Sequence, residues 1–376
     1  MGDELLQTYS NYYARLGHTL VDRYPLVHPA FRTSFVLSAG VIEMKERLSG
    51  TLDGPSRCLL IQPCFRHFDI DRVKSGLHLS LFLMGAALYF DNPSRTSVLE
   101  AMIRFVIDEL DIGPERLWLT AFAGGSIGGN LFESDGESQT AWLSLNMPKS
   151  RLVLYGPDRN FWREGAGSGQ EKSGLCGPHA ELFFDRGRTG ICRSSLCSPG
   201  CDCGRFLEIG NAVFPQYRLT REGVSPIPQM IAEGAMGLDR LAMALESAIT
   251  VFDTRALQSL KNEVLNGPMA NAPKPALVIT VLDHVRSFCC LVAEGALPGR
   301  KGRGHILRKM LKKSWEAAEI ISTQPHAVIR QVADSVFRHP EATAGIDVVS
   351  NWPRVNEILE RELSLITSRR TKVASP

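Results

Sequence analysis

A strong net charge is the first thing that this sequence lacks. Its 376 residues carry 42 Lys and Arg against 40 Asp and Glu, which gives a formal net charge of +2. Overall charge therefore gives no reason to infer a nucleic-acid partner, and any such inference must rest on local basic patches.

Long apolar runs and a secretory leader are also missing from the pattern. No run in the sequence approaches the roughly 18 to 20 apolar residues that cross a bilayer. Residues 1–18 are charged and amphipathic and have no apolar core of the kind found in signal peptides. We therefore expect a cytoplasmic protein without a membrane partner.

Cysteine is present nine times, but its distribution is uneven. Cys192, Cys197, Cys201 and Cys203 fall within 12 residues, with the spacing C-x4-C-x3-C-x-C. Thiols stay reduced in the cytoplasm, so this clustering favours a metal site over disulfides. It predicts a structural Zn²⁺, with His179 as a further candidate ligand. The alternative is four reduced thiols packed in a long loop.

The length of the chain favours two domains. Residues 1–255 mix short strand-like runs with Gly and Pro, and strands and helices do not alternate regularly. This favours an α+β fold, with a mostly antiparallel sheet flanked by helices. Residues 256–276 predict a linker because their second half is rich in Pro, Gly and Asn. Residues 277–376 have a helical period and predict an all-helical domain.

Short apolar segments of the first domain predict its strands, and one segment with an apolar face predicts a helix. Its strands are RCLLIQPCF, RLVLYG, AELFFDRG and RFLEIGNAVFPQYRL, and residues 236–249 predict a helix with one apolar face.

Arg66 ends the first of these strands and precedes a polar loop that leads to His78 and Phe82. An arginine presents a rigid fork of donors that matches phosphate and carboxylate oxygens, and an aromatic ring nearby can stack on a purine. Such an arginine taken alone is more often a solvated surface residue. The interpretation therefore depends on the rest of the chain.

Further polar residues lie in segments that are otherwise apolar. Glu181, Glu208 and Asn211 lie on strand-like runs, where a buried polar side chain needs a partner or a ligand. Trp162 is equally well explained by core packing. Arg240 follows a glycine-containing turn at the start of a helix, from which a guanidinium can reach a polyphosphate.

These segments resemble, in order, the aminoacylation and tRNA-recognition parts of the alanyl-tRNA synthetase family of class II aminoacyl-tRNA synthetases. The similar segments are residues 35–50, 62–84 (family motif 2), 160–162, 176–185, 207–214, 235–241 (family motif 3) and 281–311. The resemblance implies a class II antiparallel sheet of six to seven strands, followed by a helical domain that resembles the family's tRNA-recognition domain.

The resemblance implies ATP-dependent activation of alanine, or a similarly small amino acid, as an aminoacyl-adenylate, with Mg²⁺ as cofactor. Arg66 would hold the α-phosphate and the amino-acid carboxylate. Phe82 would stack on adenine, and Arg240 would hold its other face and the γ-phosphate. His78 and Glu181 would also contribute to the ATP site.

The amino-acid pocket implied by the family consists of Trp162, Asn211, Val213 and Glu233. Family members usually have an aspartate where this chain has Glu233, and that carboxylate holds the substrate ammonium. A carboxylate is kept here, although its side chain is one methylene longer.

The acceptor side departs from the family pattern. Arg300 stands where the family has an asparagine that helps to read the acceptor-stem G·U pair, and the second reader is expected beyond residue 376. The family's editing motif, H-x-x-x-H, does not occur among the nine histidines. We therefore expect a truncated, stand-alone paralogue without the editing or the C-terminal oligomerising domain.

A basic stretch nevertheless remains near the start of the helical domain. It comprises Arg300, Lys301, Arg303, Arg308, Lys309, Lys312 and Lys313. It predicts contact with a phosphate backbone without base readout, and the alternative is a solvated helix face.

The sequence thus predicts an adenylate-forming ligase that transfers alanine to a small molecule or a carrier protein in a natural-product pathway. One alternative is a minimal alanine–tRNA ligase that charges tRNA-Ala, and another is a non-catalytic, tRNA-binding or regulatory paralogue. The retention of Arg66 and Arg240 favours an enzyme. The sequence does not indicate the oligomeric state.

Overall fold

The computed structural model describes residues 3–29, 35, 39–164, 174–187, 192, 194, 197–267, 269–270 and 272–374. Residues 36–38, which belong to the first family-like segment, lie outside the described residues. Every described strand ends by Gly237, and the described residues from Leu238 onwards form helices and turns. This division confirms the predicted α+β fold class.

The strands are β1 (Thr19–Leu20), β2 (Arg57–Phe65), β3 (Leu81–Tyr89), β4 (Leu117–Phe122), β5 (Gly125–Ile127), β6 (Asn130–Phe132), β7 (Leu152–Tyr155), β8 (Phe161–Arg163), β9 (Gly174–Asp185), β10 (Phe206–Val213), β11 (Tyr217–Thr220), β12 (Gly223–Pro226) and β13 (Ala232–Gly237). The α-helices are α1 (Asp3–Arg15), α2 (Val41–Leu48), α3 (Arg95–Arg104), α4 (Gly136–Ser144), α5 (Pro157–Asn160), α6 (Leu238–Leu245), α7 (Arg255–Leu265), α8 (Pro275–Ala293), α9 (Gly302–Ile321), α10 (Pro325–Arg338) and α11 (Trp352–Ala374).

One large sheet organises the first part of the chain. Its strand order is β1-β2-β3-β13-β10-β9-β11-β12, and β4, β7 and β8 join it beside β9. Among the described residues it has 11 strands, more than the six to seven that the resemblance implied. The strands from β2 to β9 in this order are antiparallel, whereas β1 with β2 and β4 with β7 are parallel.

The hairpin of β2 and β3 is buried on both faces, which explains its nearly continuous apolar sequence. Helix α1 packs closely on it. A Cβ atom at Gly85 would lie 2.4 Å from a ring carbon of Tyr9, so only glycine allows this approach. The bounds of β2 agree residue for residue with the strand predicted at residues 57–65.

Helix α8 corrects one expectation from the sequence. By length and composition it could cross a membrane, contrary to the expectation that no run approaches such a span. However, 83% of its apolar window is buried inside the protein. It is the central helix of the helical part, and its neighbours are α9, α10 and α11.

Two further boundaries differ in detail from the sequence-based ones. The helix predicted over residues 236–249 is the shorter α6, because Met236 and Gly237 still belong to β13. The first half of the predicted linker, 256–276, lies in α7, which ends at Leu265. The predicted helices beyond the linker correspond to α8, α9, α10 and α11. The domain boundaries at residues 255 and 277 stay a prediction.

Candidate active site

The loop end of the β2–β3 hairpin brings Arg66 and Phe82 together. The two strands pair in register as far as Phe65 with Leu81, and the Arg66 amide then donates to the Ser80 carbonyl oxygen at 2.9 Å. The Arg66 guanidinium carbon lies 5.0 Å from the centroid of the Phe82 ring. A cation and an aromatic face are thus presented side by side.

Arg240 reaches the same place from the adjoining element. It lies in the first turn of α6, and its Nη1 atom donates to the backbone oxygen and to Oε2 of Glu208, both at 3.1 Å. One cavity is lined by Arg240 and Arg66 together with His78, Phe82 and Asn211. Glu208 lines this cavity as well, so the structure brings together six of the residues that the sequence singled out.

A larger cleft of about 830 Å³ adjoins this cavity and shares His78, Glu208 and Arg240 with it. Glu181 and Arg72 also line this cleft. Its volume lies in the range of pockets that hold nucleotide-sized ligands. Together, the two cavities offer a compartment that contains the Phe82 ring and two guanidinium groups beside a wide compartment with charges of both signs.

His78 reports the electrostatic character of this site. Burial and the nearby guanidinium groups of Arg240, Arg72 and Arg66 lower its pKa to about 3. A histidine kept neutral by burial and by three nearby guanidinium groups indicates a site suited to anions. A bound phosphate would favour the protonated imidazole.

Glu233 on β13 is a fully buried carboxylate. The Gly40 amide donates to its Oε1 atom at 2.8 Å, and a Cβ atom at Gly40 would lie 2.7 Å from that oxygen. Burial raises the Glu233 pKa to about 7, although the Gly40 hydrogen bond and the charge of Arg66 act in the opposite direction. A cation beside this carboxylate would relieve the cost of its burial.

The remaining residues of the predicted amino-acid pocket lie on neighbouring strands. Val213 pairs with Glu233 between β10 and β13, and Asn211 lies two positions earlier on β10. Trp162 is half-buried on β8 and pairs with Gly177 of β9. Of the predicted pocket residues, Asn211 lines the cavity. Its buried Oδ1 atom has no hydrogen-bond partner among the described residues, as expected for a group that binds a ligand.

Sequence reasoning did not select Arg72 and Asp239 as site residues. Asp239 is buried and accepts a hydrogen bond from the Leu83 amide at 2.6 Å, and burial raises its pKa. The signal for Asp239 was present, because it is an acidic residue within an apolar helix and next to Arg240. Nothing in the sequence distinguishes Arg72 from a solvated loop residue.

The four clustered cysteines lie close to one another in the structure. The Sγ atoms are 3.8 Å apart for Cys192 and Cys201, and 3.6 Å apart for Cys197 and Cys203. All four lie within 4.8 Å of one another. A tetrahedral site with Zn–S bonds of about 2.3 Å requires Sγ separations of about 3.8 Å, so the arrangement fits Zn²⁺.

This cysteine loop forms one wall of the larger cleft, to which it contributes Cys201 and Asp202. Arg205 holds the base of the loop through two hydrogen bonds to Asp185, at 2.8 and 2.6 Å. His179 lies outside the group of four: its Nε2 atom is 3.4 Å from a carboxylate oxygen of Glu181 on the same strand.

Much of the basic stretch is engaged within the fold. Its contacts are Arg303 with the His28 carbonyl oxygen, Arg308 with Glu362 through two hydrogen bonds, Lys309 and Lys313 with Asp71, and Lys312 with Glu316. Arg300 and Lys301 are exposed and precede α9. The side chains of α9 thus contact the loop between β2 and β3 as well as offering positive charge.

Comparison with known proteins gives a match over nearly the whole chain. The family model for class II (A) tRNA synthetases matches residues 4–364. The alanine–tRNA ligase of Leptospira biflexa is 31% identical over 320 residues, which cover 83% of this chain and 33% of that protein. The alanine–tRNA ligase of Desulforudis audaxviator is 30% identical over 368 residues, which cover 94% and 40%. The chain therefore spans about a third to two fifths of the length of these relatives.

The matches to solved structures are more distant. The histidyl-tRNA synthetase of S. aureus gives a TM-score of 0.38 at 13% identity, over 72% of this chain and 76% of that one. The pyrrolysyl-tRNA synthetase of Desulfitobacterium hafniense gives 0.34 at 15% identity, over 67% and 72%.

Proposed function

Since the chain belongs to the class II (A) tRNA synthetase family, as its resemblance to alanyl-tRNA synthetases led us to expect, we propose that it activates alanine, or a similarly small amino acid, with ATP. The products would be an aminoacyl-adenylate and pyrophosphate. The observation that carries this proposal is the convergence of Arg66, His78, Phe82 and Arg240 on one cavity that adjoins a nucleotide-sized cleft.

The proposed reaction requires no nucleophile from the protein. An oxygen of the amino-acid carboxylate attacks the α-phosphorus of ATP, a new P–O bond forms, and the bond to the pyrophosphate oxygen breaks. Arg66 would neutralise the α-phosphate and the carboxylate, and Arg240 the terminal phosphate. Mg²⁺ supplies further charge neutralisation when bound, and the carboxylates of Glu181 and Glu208 at the cleft would hold it.

We propose that the amino acid binds with its ammonium group towards Glu233. The buried carboxylate has a raised pKa, and a substrate ammonium beside it would restore the ionised form. Asn211 offers an unpartnered oxygen in the adjoining cavity. Trp162 and Val213 would set the size of the pocket.

ATP–pyrophosphate exchange with each of the twenty amino acids tests this function. We expect exchange with alanine at a rate well above that with glycine or serine. Exchange with glycine or serine but not alanine would contradict the proposed pocket. Absence of exchange with every amino acid would favour the non-catalytic alternative.

We also propose an acceptor other than tRNA-Ala read at the G·U pair. Arg300 replaces the reading asparagine, and several neighbouring basic side chains already pair with Glu362 and Asp71. The acceptor would be a small-molecule amine or a carrier-protein thiol, and minimal charging of tRNA-Ala is the competing function. Charging assays should compare wild-type tRNA-Ala with a variant in which G·U becomes G·C. Efficient charging that collapses with this change would overturn the specialised acceptor.

Two further assignments remain proposals. The cysteine cluster would hold a structural Zn²⁺, for which the Sγ separations provide support. A cytoplasmic location without a membrane partner agrees with the burial of α8 inside the protein.

A further inference from the structure

A buried polar network joins helix α8 to the start of β3. The carboxylate of Asp283 accepts two hydrogen bonds from Ser80, one from the amide at 2.9 Å and one from the hydroxyl at 2.5 Å. The Ser80 hydroxyl also lies 2.9 Å from that of Ser287, and His284 Nδ1 lies 3.0 Å from Asp283. All of these residues are fully buried.

Leu81, the first residue of β3, is also held by helix α8. Arg286 is 1% exposed, and its Nη1 atom donates to the Leu81 carbonyl oxygen at 2.8 Å. Its Nε atom donates to the Ala342 carbonyl oxygen, beyond α10. The guanidinium therefore ties the strand to the interior of the helical part.

The segment held in this way carries Phe82 and bonds to the backbone of Arg66, and both residues line the candidate ATP site. The Ser80 amide donates a hydrogen bond to Asp283 of α8, and the Ser80 carbonyl oxygen accepts one from the Arg66 amide. Phe82 lies between Leu81, held by Arg286, and Leu83, whose amide is held by Asp239. Each end of the short stretch beneath Arg66 and Phe82 is thus fixed by a buried charged side chain.

We infer that α8 sets the geometry of the ATP site, with Asp283 and Arg286 as positioning residues for Arg66 and Phe82. This inference rests on the proposed adenylating function. Neither residue lines the two cavities, so both act through the backbone of Ser80 and Leu81, whereas Asp239 of α6 holds Leu83. The helical part would then be a component of the adenylation machinery as well as a platform for the acceptor.

Apolar packing alone would not need this arrangement. Burial of a carboxylate and a guanidinium is costly, and similar apolar side chains often stabilise a fold at least as well. Buried polar groups do, however, fix a unique geometry when they are hydrogen-bonded to backbone atoms. Here the backbone atoms belong to Ser80 and Leu81, the two residues that precede Phe82.

A graded pair of variants tests the inference. Asp283→Ala removes both contacts to Ser80 and is expected to raise the KM for ATP about tenfold in pyrophosphate exchange. Asp283→Asn keeps an oxygen for the Ser80 amide and is expected to raise it less. If Asp283→Ala does not fold, Ser80→Ala removes the hydroxyl contact alone and is expected to act in the same direction.

The matched control is Glu294→Gln at the C-terminal end of α8. Glu294 is also largely buried, and it joins α8 to the first part of the chain through Arg23 and the Leu26 amide. This variant should lower the Tm but leave the KM for ATP within about twofold. An equal rise in KM for Asp283→Ala and Glu294→Gln, or no rise for either, would overturn the positioning role.

Two measurements separate this inference from the proposed function. The Kd for ATP alone, measured by calorimetry, should rise in Asp283→Ala, and the Ser80 amide, which loses its acceptor, should exchange hydrogen faster. If the wild type binds ATP but catalyses exchange with no amino acid, the proposed function fails. The Kd for ATP of Asp283→Ala compared with that of the wild type then still tests the positioning role. If wild-type exchange is robust and Asp283→Ala keeps the wild-type Kd, only the positioning role fails.

Discussion

At the scale of single residues, the two arginines of the site should matter far more than arginines elsewhere. We expect Arg66→Ala and Arg240→Ala each to slow adenylate formation by about 100-fold or more, because each removes a charge-assisted phosphate contact in an enclosed site. Pyrophosphate exchange measures this effect. Arg104→Ala is the control, since Arg104 is an exposed helix residue paired with Glu100. A loss of less than about threefold for either site arginine would contradict its role.

The raised pKa of Glu233 predicts a pH dependence of amino-acid binding. Glu233 is ionised above pH about 7 and protonated below it in the free protein, and only the ionised form attracts an ammonium. The KM for the amino acid should therefore rise as the pH falls through 7. Glu233→Gln should raise this KM most above pH 7, where the wild-type carboxylate is ionised, and remove the step near pH 7. An unchanged KM would show that Glu233 is not the ammonium anchor.

Glu233→Gln should weaken amino-acid binding but increase the free energy of unfolding at alkaline pH. The folded-state pKa of Glu233, about 7, lies above its ordinary value of 4.5, so ionisation disfavours the folded state as the pH rises through this window. Glu233→Gln should therefore be more stable than the wild type at pH 8, by on the order of 3 kcal/mol. The difference should vanish at and below pH 4.5. Urea unfolding at pH 8 and at pH 4.5 measures both limits.

Individual residues of the site were predictable only through the motifs. Arg66 and Phe82 were predicted because their segment resembles family motif 2, whereas the strand, polar loop and aromatic taken alone favoured a solvated surface arginine. The raised pKa of Glu233 was not predictable, because it depends on burial between β3, β10 and α2. Asp283 and Arg286 were missed because the helical period explains their neighbours and gives no sign that their side chains contact β3.

At the scale of single elements, the cysteine loop should depend on metal. We expect protein purified without chelators to contain about one Zn²⁺ per chain by elemental analysis. Cys203→Ser should lose the metal and lower the Tm, because a structural Zn²⁺ contributes directly to folding. Cys289→Ser is the control, since Cys289 is buried in α8 away from the loop. Fully stable protein without zinc would show that the four thiols are merely packed.

The sequence predicted the bounds of some elements correctly and those of others wrongly. The strand at residues 57–65 was predicted correctly because apolar residues and flanking polar residues mark both ends. The helix predicted at 236–249 was too long at both ends, because β13 continues to Gly237 and turns follow α6. Helix α7 was missed within the predicted linker, where glycine and proline further along dominated the interpretation.

At the scale of the whole molecule, the two parts should unfold together. One apolar core cluster includes residues of the sheet, such as Leu88, and residues of the helical part, such as Phe288. The Asp283–Ser80 contact adds a buried polar link across the same boundary. We therefore expect a single calorimetric transition for the intact chain. Two well-separated transitions would contradict this coupling and support independent domains.

The contacts of Asp71 have a consequence for how salt should affect acceptor binding. Lys313 Nζ lies 2.5 Å from this carboxylate and Lys309 Nζ lies 3.7 Å from it, so both lysines already have a counter-charge that belongs to the chain. A phosphate that approaches them displaces Asp71 and releases few solution cations. The affinity for a polyanionic acceptor should thus fall only gently with added salt, and Asp71→Asn should make the decline steeper.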